Sequence, residues 1–192
     1  MEIIFATNNP YKVKEIRHFL RKEITITSLA DLGFKEEIPE PYHSLEENAA
    51  AKASFVYQKF HQNCFADDTA LEVDALQGEP GVFSARYAGE NKNAKANMEK
   101  LLERLKNISN RRARFRTIIA YMENGKVQFF EGTIYGTIIK EPRGNEGFGY
   151  DPIFQPDGYS QTFAEIPLDE KNKISHRAIA MKALANYLHA KL

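Results

Sequence analysis

The stretch Glu2-Ile3-Ile4-Phe5-Ala6-Thr7-Asn8-Asn9-Pro10-Tyr11-Lys12-Val13-Lys14-Glu15-Ile16 changes its period half-way along. Residues 2–6 are mostly apolar and partly β-branched, which predicts a buried strand. Asn9 suits a helix N-cap and Pro10 the first helical position. Val13, Ile16, Phe19 and Leu20 then recur at helical spacing. The chain therefore opens as strand, turn and helix.

Working outward, Ile24-Thr25-Ile26-Thr27-Ser28 reads as the next strand, and residues 30–43, with two prolines and three glutamates, as a loop. Ser44-Leu45-Glu46-Glu47 is a capping box that starts a helix at about Leu45. Its apolar face is Leu45, Ala49, Ala53, Val56, Tyr57 and Phe60. Cys64-Phe65-Ala66 predicts a short strand ending on Asp67-Asp68. This alternation predicts a partly parallel sheet with right-handed crossovers. Residues 77–91 read as a long ordered loop, and Met98, Leu101, Leu102 and Leu105 mark an amphipathic helix. Strand-like runs 113–122 and 127–138 flank Asn124-Gly125, a type I′ hairpin signal that adds antiparallel strands. Ser175 caps a closing helix whose core face is Ile179, Ala183, Leu184, Tyr187 and Leu188.

The 192 residues suit one sizeable domain or two lobes sharing a sheet. At 43% apolar there is enough for a real core. Net charge is zero, which argues against a nucleic-acid partner, since such proteins carry a basic excess. Arg111, Arg112, Arg114 and Arg116 accordingly read as a solvated strand face or subunit contact. The one cysteine, Cys64, excludes an intrachain disulfide and a cysteine-based zinc site, and reads as a small buried strand residue. No apolar run approaches the ~20 residues of a membrane span, and no signal peptide is seen, so a cytoplasmic location is expected.

Three polar clusters carry the chemistry. Thr7, Asn8, Asn9, Pro10, Tyr11 and Lys12 sit where a strand becomes a helix. Backbone N–H groups at a helix start attract anions, and Lys12 adds a point charge for phosphate. The glycine-lysine pattern of a P-loop is absent, and an ordinary capped helix is the alternative. Asp67-Asp68 at a strand end could hold Mg²⁺, a hard cation that bridges carboxylate and phosphate oxygens; a turn or cap is the alternative. Glu40, stiffened between Pro39 and Pro41, is a candidate further ligand. Gly147-Phe148-Gly149-Tyr150-Asp151 can bring an aromatic face to a flat ligand, or simply be a tight turn with core-facing rings. Ser175-His176-Arg177 could present donors to an anion or a carbonyl, or simply be a solvated helix start.

Taken together, the blocks FATNNPYKVKEI, SLEENAAAKA, FADDTALEVDAL, PGVFSARYAGE, EGFGYDPIF and LDEKNKISHRAIA, in that order, resemble the inosine triphosphate pyrophosphatase family, the Ham1-like enzymes. The resemblance runs nearly end to end. It implies a single α/β domain over residues 1–192, with an elongated mixed sheet flanked by helices and two lobes around a nucleotide cleft. It implies a homodimer and Mg²⁺-dependent hydrolysis of ITP, dITP and XTP to monophosphate and pyrophosphate. On that resemblance Asp68 is the general base and, with Glu40, a metal ligand. Thr7 to Lys12 contact the triphosphate, and Thr69 offers a substrate hydroxyl contact. Phe148, Gly149, Tyr150, Asp151, Lys171, His176 and Arg177 contact base and sugar-phosphate. Two positions depart from the pattern: Ala70 stands where glycine is usual, and Pro41-Tyr42 follow Glu40 where Thr-Gly is common. Rival expectations are a pyrophosphatase preferring pyrimidine or modified nucleotides, and a nucleotide-binding regulatory module without hydrolysis.

Overall fold

The computed structural model describes residues 1–19 and 24–192, so Leu20 of the opening helical pattern lies outside the described residues. The elements are β1 (Glu2–Phe5), α1 (Pro10–Ile16), β2 (Thr25–Ser28), α2 (Leu45–Phe60), β3 (Cys64–Val73), β4 (Pro80–Gly81), α3 (Ala94–Arg104), β5 (Arg112–Glu123), β6 (Lys126–Ile138), β7 (Phe154–Pro156), α4 (Leu168–Ile174) and α5 (His176–His189). This is a mixed α/β fold. The strands follow the order β2-β1-β3-β5-β6-β7, with β4 paired to β3. β1 pairs in parallel with both β2 and β3, as the alternation of strands and helices requires. β3–β4 and β6–β7 are antiparallel. Asn124 and Gly125 both take positive φ, 50° and 73°, and join β5 to β6 as the hairpin signal predicts.

The chain divides into two compact units, each with its own core. The first is Met1–Asp68, Thr117–Gly132 and Arg177–Leu192. Ile3 and Phe5 of β1, Ile16 of α1, Phe65 of β3 and Met181, Leu184 and Leu188 of α5 fill its interior. Phe5 and Phe65 stack at 4.5 Å, a cross-strand pair set by the Phe5–Phe65 register. The second unit is Thr69–Arg116 and Thr133–His176. Leu71, Leu101, Phe115, Tyr150, Phe154 and Phe163 are among the side chains that close its core.

Three sequence expectations change. β3 is ten residues long, so Asp67 and Asp68 lie inside a strand and not at its end. The strand continues because Leu71 and Glu72 find ladder partners in Gly81 and Pro80, within the segment read as loop. α4 was not foreseen as a helix. On α5, Ile179 is 39% exposed, whereas Arg177, Met181, Leu184, Ala185 and Leu188 are buried. The inward stripe is thus rotated from the expected one, and it begins on a charged residue. Three residues of the arginine run are bonded within the second unit. Arg111 donates to the carbonyls of Leu105, Ile138 and Ile139, Arg112 pairs with Asp157, and Arg114 pairs with Glu72.

Candidate active site

In the first unit the turn after β1 folds on itself. Thr7 Oγ1 accepts the Asn9 N–H at 3.1 Å, and Asn9 Oδ1 accepts from the N–H groups of Tyr11 and Lys12 at 3.0 and 3.4 Å. Pro10 has no N–H to offer. The amides expected to cradle an anion at the start of α1 are therefore taken by the N-cap. Among these residues Lys12 keeps the charge that a phosphate needs. Asn8 Nδ2 reaches the Glu36 carbonyl at 3.4 Å, and Tyr11 is exposed.

Lys12 Nζ donates to Asp67 Oδ1 at 2.8 Å, and Arg177 Nε to Asp67 Oδ2 at 3.2 Å. Arg177 also pairs with Glu15. Asp67, Arg177 and Glu15 are all buried. Burial alone would raise the Asp67 carboxyl pKa, but Lys12, Arg177 and Lys52 hold it well below the usual carboxylate range. Burial would likewise disfavour the Arg177 cation, yet Glu15 and Asp67 push its pKa above the ordinary value. Lys12 goes the other way: burial outweighs Asp67 and lowers it.

Asp68 points into a different environment, because neighbouring strand residues face opposite ways. Its Oδ1 stands 4.0 Å from Lys52 Nζ. Lys52 donates to the Asp67 carbonyl at 2.6 Å and pairs with Glu40. Burial raises the Asp68 pKa to about 6, with Glu40 adding and Lys52 opposing. Glu40 is held low despite burial, by Lys52. The two adjacent aspartates are thereby separated into a permanent anion and a carboxylate that can exchange a proton near neutrality, the kind of split that acid–base chemistry uses. Two aspartates inside a strand, where Asp is depleted, violate local preference in the way functional sites do.

The second unit holds the aromatic turn. Asp151 Oδ2 accepts from the Phe148 N–H at 2.9 Å and from Lys171 Nζ at 2.7 Å. Lys171 is buried, 5.4 Å from the Phe148 ring centroid and 5.3 Å from that of Phe163. Gly147, at φ 75°, lies so close to this carboxylate that a Cβ there would stand 2.0 Å from Asp151 Oδ2. Gly149 also takes positive φ, 63°. Tyr150 turns into the core and donates its hydroxyl to the Ser84 carbonyl at 2.7 Å, so Phe148 is the half-buried ring of the turn. His176 is buried and stacks on Phe115 at 4.6 Å. Thr69 is half-buried on β3, and Ala70 is fully buried without a left-handed backbone.

The structure thus gathers Lys12, Glu40, Asp67, Asp68 and Arg177 within the first unit, and Phe148, Asp151, Lys171 and His176 within the second. Lys52 and Glu15 were missed. Each interrupts an apolar helical stripe: Lys52 lies between Ala49, Ala53 and Val56, and Glu15 beside Ile16. A charged residue at a stripe position is the signal that could have found them.

A sequence model of the Ham1 family matches residues 3–187. The chain belongs to the Ham1 family. Among its relatives, a protein of Flavobacterium psychrophilum named dITP/XTP pyrophosphatase is 52% identical over 187 residues, covering 97% of this chain and 98% of the relative. One of Bacillus subtilis with the same name is 49% identical over 193 residues, covering 98% of each. The solved Ham1 protein of Staphylococcus aureus superposes with TM-score 0.90 at 37% identity, covering both chains completely. The Coxiella burnetii HAM1 protein gives 0.91 at 38%, over 99% of each.

Proposed function

We propose that this Ham1-family chain is a nucleoside triphosphate pyrophosphatase that hydrolyses ITP, dITP and XTP to the monophosphate and pyrophosphate, with Mg²⁺. The observation that carries the chemistry is the division of labour between Asp67 and Asp68. The relatives' shared name, dITP/XTP pyrophosphatase, supports the substrate class.

Asp68, with its pKa raised to about 6, is charged at neutral pH yet basic enough to accept a proton from the attacking water. Asp67 stays ionised and holds Lys12 and Arg177 in place. Lys12 commits one donor to Asp67 and, as an ammonium with three, has others for phosphate oxygens. That charge favours departure of pyrophosphate. In the second unit, the Phe148–Asp151 turn, Lys171 and His176 are assigned to the base and sugar-phosphate, with Thr69 as a hydroxyl contact.

Among the described residues no three histidine, cysteine or acidic side chains gather as a cation cage. Mg²⁺ does not require one, since it takes one or two carboxylates, several waters and substrate phosphates. Glu40 and Asp68, two hard-oxygen groups brought together at Lys52, fit that demand. When bound there, Mg²⁺ would supply positive charge against the phosphates and lower the pKa of water.

Selectivity is assigned to hydrogen bonding at the base. Hypoxanthine and xanthine present a 6-keto acceptor where adenine presents a donor, and a buried donor left facing a donor is costly. The single family match over residues 3–187 supports one functional domain. The resemblance supports a homodimer, and the nucleotide pool as its field of action supports the cytoplasm. No helix of the described residues is long and apolar enough to cross a membrane. The deciding experiment is pyrophosphate release from ITP. Release with Mg²⁺ that stops on chelation is expected, whereas binding without release would leave only a nucleotide-binding module. A monomer mass in light scattering would remove the homodimer alone.

A further inference from the structure

Glu40 stands in a segment without regular structure between Phe34 and the N-cap Ser44. Its carboxylate is held by Lys52 of α2. One turn earlier on the same helix face, Asn48 does something different. Its Oδ1 accepts the Tyr42 N–H at 3.0 Å, and its Nδ2 donates to the Tyr42 carbonyl at 3.1 Å. Asn48 is fully buried, whereas the Tyr42 side chain is 44% exposed. The contact therefore grips the loop's backbone and ignores its side chain. A buried amide costs free energy unless both ends are bonded, and its neighbours at Ala49 and Ala53 show that the helix face is otherwise small and apolar. Packing alone would be served by an apolar residue. Between the gripped Tyr42 and Glu40 lies only Pro41, whose ring fixes its own φ, and Pro39 stiffens the other side.

We propose that Asn48 is a positioning residue for Glu40: by clamping both backbone groups of Tyr42 it sets, through the stiff link of Pro41, where the Glu40 carboxylate stands against Lys52. The inference rests on the reading of Glu40 as a cation ligand. α2 then serves the site at two successive levels, Asn48 fixing the chain and Lys52 the carboxylate.

The test uses Mn²⁺, which takes the same oxygen donors as Mg²⁺. It is titrated into the nucleotide-free protein, and the free ion is counted by electron paramagnetic resonance. Asn48→Ala and Pro41→Gly are each expected to weaken Mn²⁺ retention about tenfold, the lower end of what a supporting residue of a metal site costs. The Mg²⁺ concentration for half-maximal ITP hydrolysis should rise in step. KM for ITP at saturating Mg²⁺ should stay within about twofold, because uniform substrate binding is untouched. Val56→Ala, a buried position further along α2, controls for lost stability and should retain Mn²⁺ as the wild type does. Glu40→Gln sets the reference loss. If Glu40→Gln weakens Mn²⁺ binding but Asn48→Ala and Pro41→Gly do not, the inference falls and the site reading stands. Equal weakening in Val56→Ala also overturns the inference. If Glu40→Gln or the absence of any wild-type Mn²⁺ binding shows that Glu40 holds no cation, both fall. Pro41 is exposed, so Pro41→Gly decides the matter alone if Asn48→Ala does not fold.

Discussion

Asp67 and Asp68 are adjacent, chemically identical and differently used. Asp68→Asn removes a charge that burial opposes, so the variant should be at least as stable as the wild type in urea. It should nevertheless lose kcat by about 10²–10⁴-fold, the usual worth of a general base. Asp67→Asn should behave in the opposite order. It leaves Lys12 and Arg177 facing a neutral amide inside the first unit, and breaking such a buried pair costs about 3–5 kcal/mol. Equal stability for the two variants in urea melts would refute this division. The pair itself was legible in the sequence, but which member does what was not, since that depends on cations brought from residues 12, 52 and 177. Cys64 was legible as an inert strand residue. Burial pushes its thiol pKa up from 9.0 to about 12, against one backbone hydrogen bond. With the folded pKa raised, its contribution to stability is complete below pH 9.0 and is lost as the pH rises toward about 12. A colorimetric thiol reagent should find nothing in the native protein at neutral pH and one thiol after denaturation; rapid native reaction would contradict the burial.

Among the elements, local periodicity located α1, α2, α3 and the β5–β6 hairpin, because caps and turn residues mark their ends. It failed where tertiary partners decide. β3 continues through two aspartates that local preference would exclude, because β4 supplies a ladder and the first unit supplies countercharges. α5 buries Leu184 and Leu188 as expected, but its inward face is displaced at the start of the helix, where Ile179 turns out and Glu15 and Asp67 draw Arg177 inward. The corrected face gives a direct comparison. Ile179→Ser should change stability by less than about 0.5 kcal/mol, as surface substitutions do. Met181→Ala should cost about 2–5 kcal/mol. Urea melts showing the larger loss at position 179 would restore the original face.

For the whole molecule, the mixed α/β class and the parallel pairing around β1 followed from strand–helix alternation, and the function from several motifs in a fixed order. Two lobes were expected, but where the chain divides was not legible, because β3, β5 and β6 each contribute residues to both units and no linker marks a boundary. The prediction at this scale is selectivity. The kcat/KM for ITP, dITP and XTP should exceed that for ATP and GTP by at least about two orders of magnitude, within what unpaired buried groups can impose. Parallel pyrophosphate-release assays check it, and ATP turnover within about tenfold of ITP would end the pool-cleaning role. The silent thiol has a practical corollary. Since Cys64 is the one cysteine in the sequence and is buried, a cysteine introduced at any exposed position of either unit would be the sole handle for a spin or fluorescent label, with no native residue to engineer away.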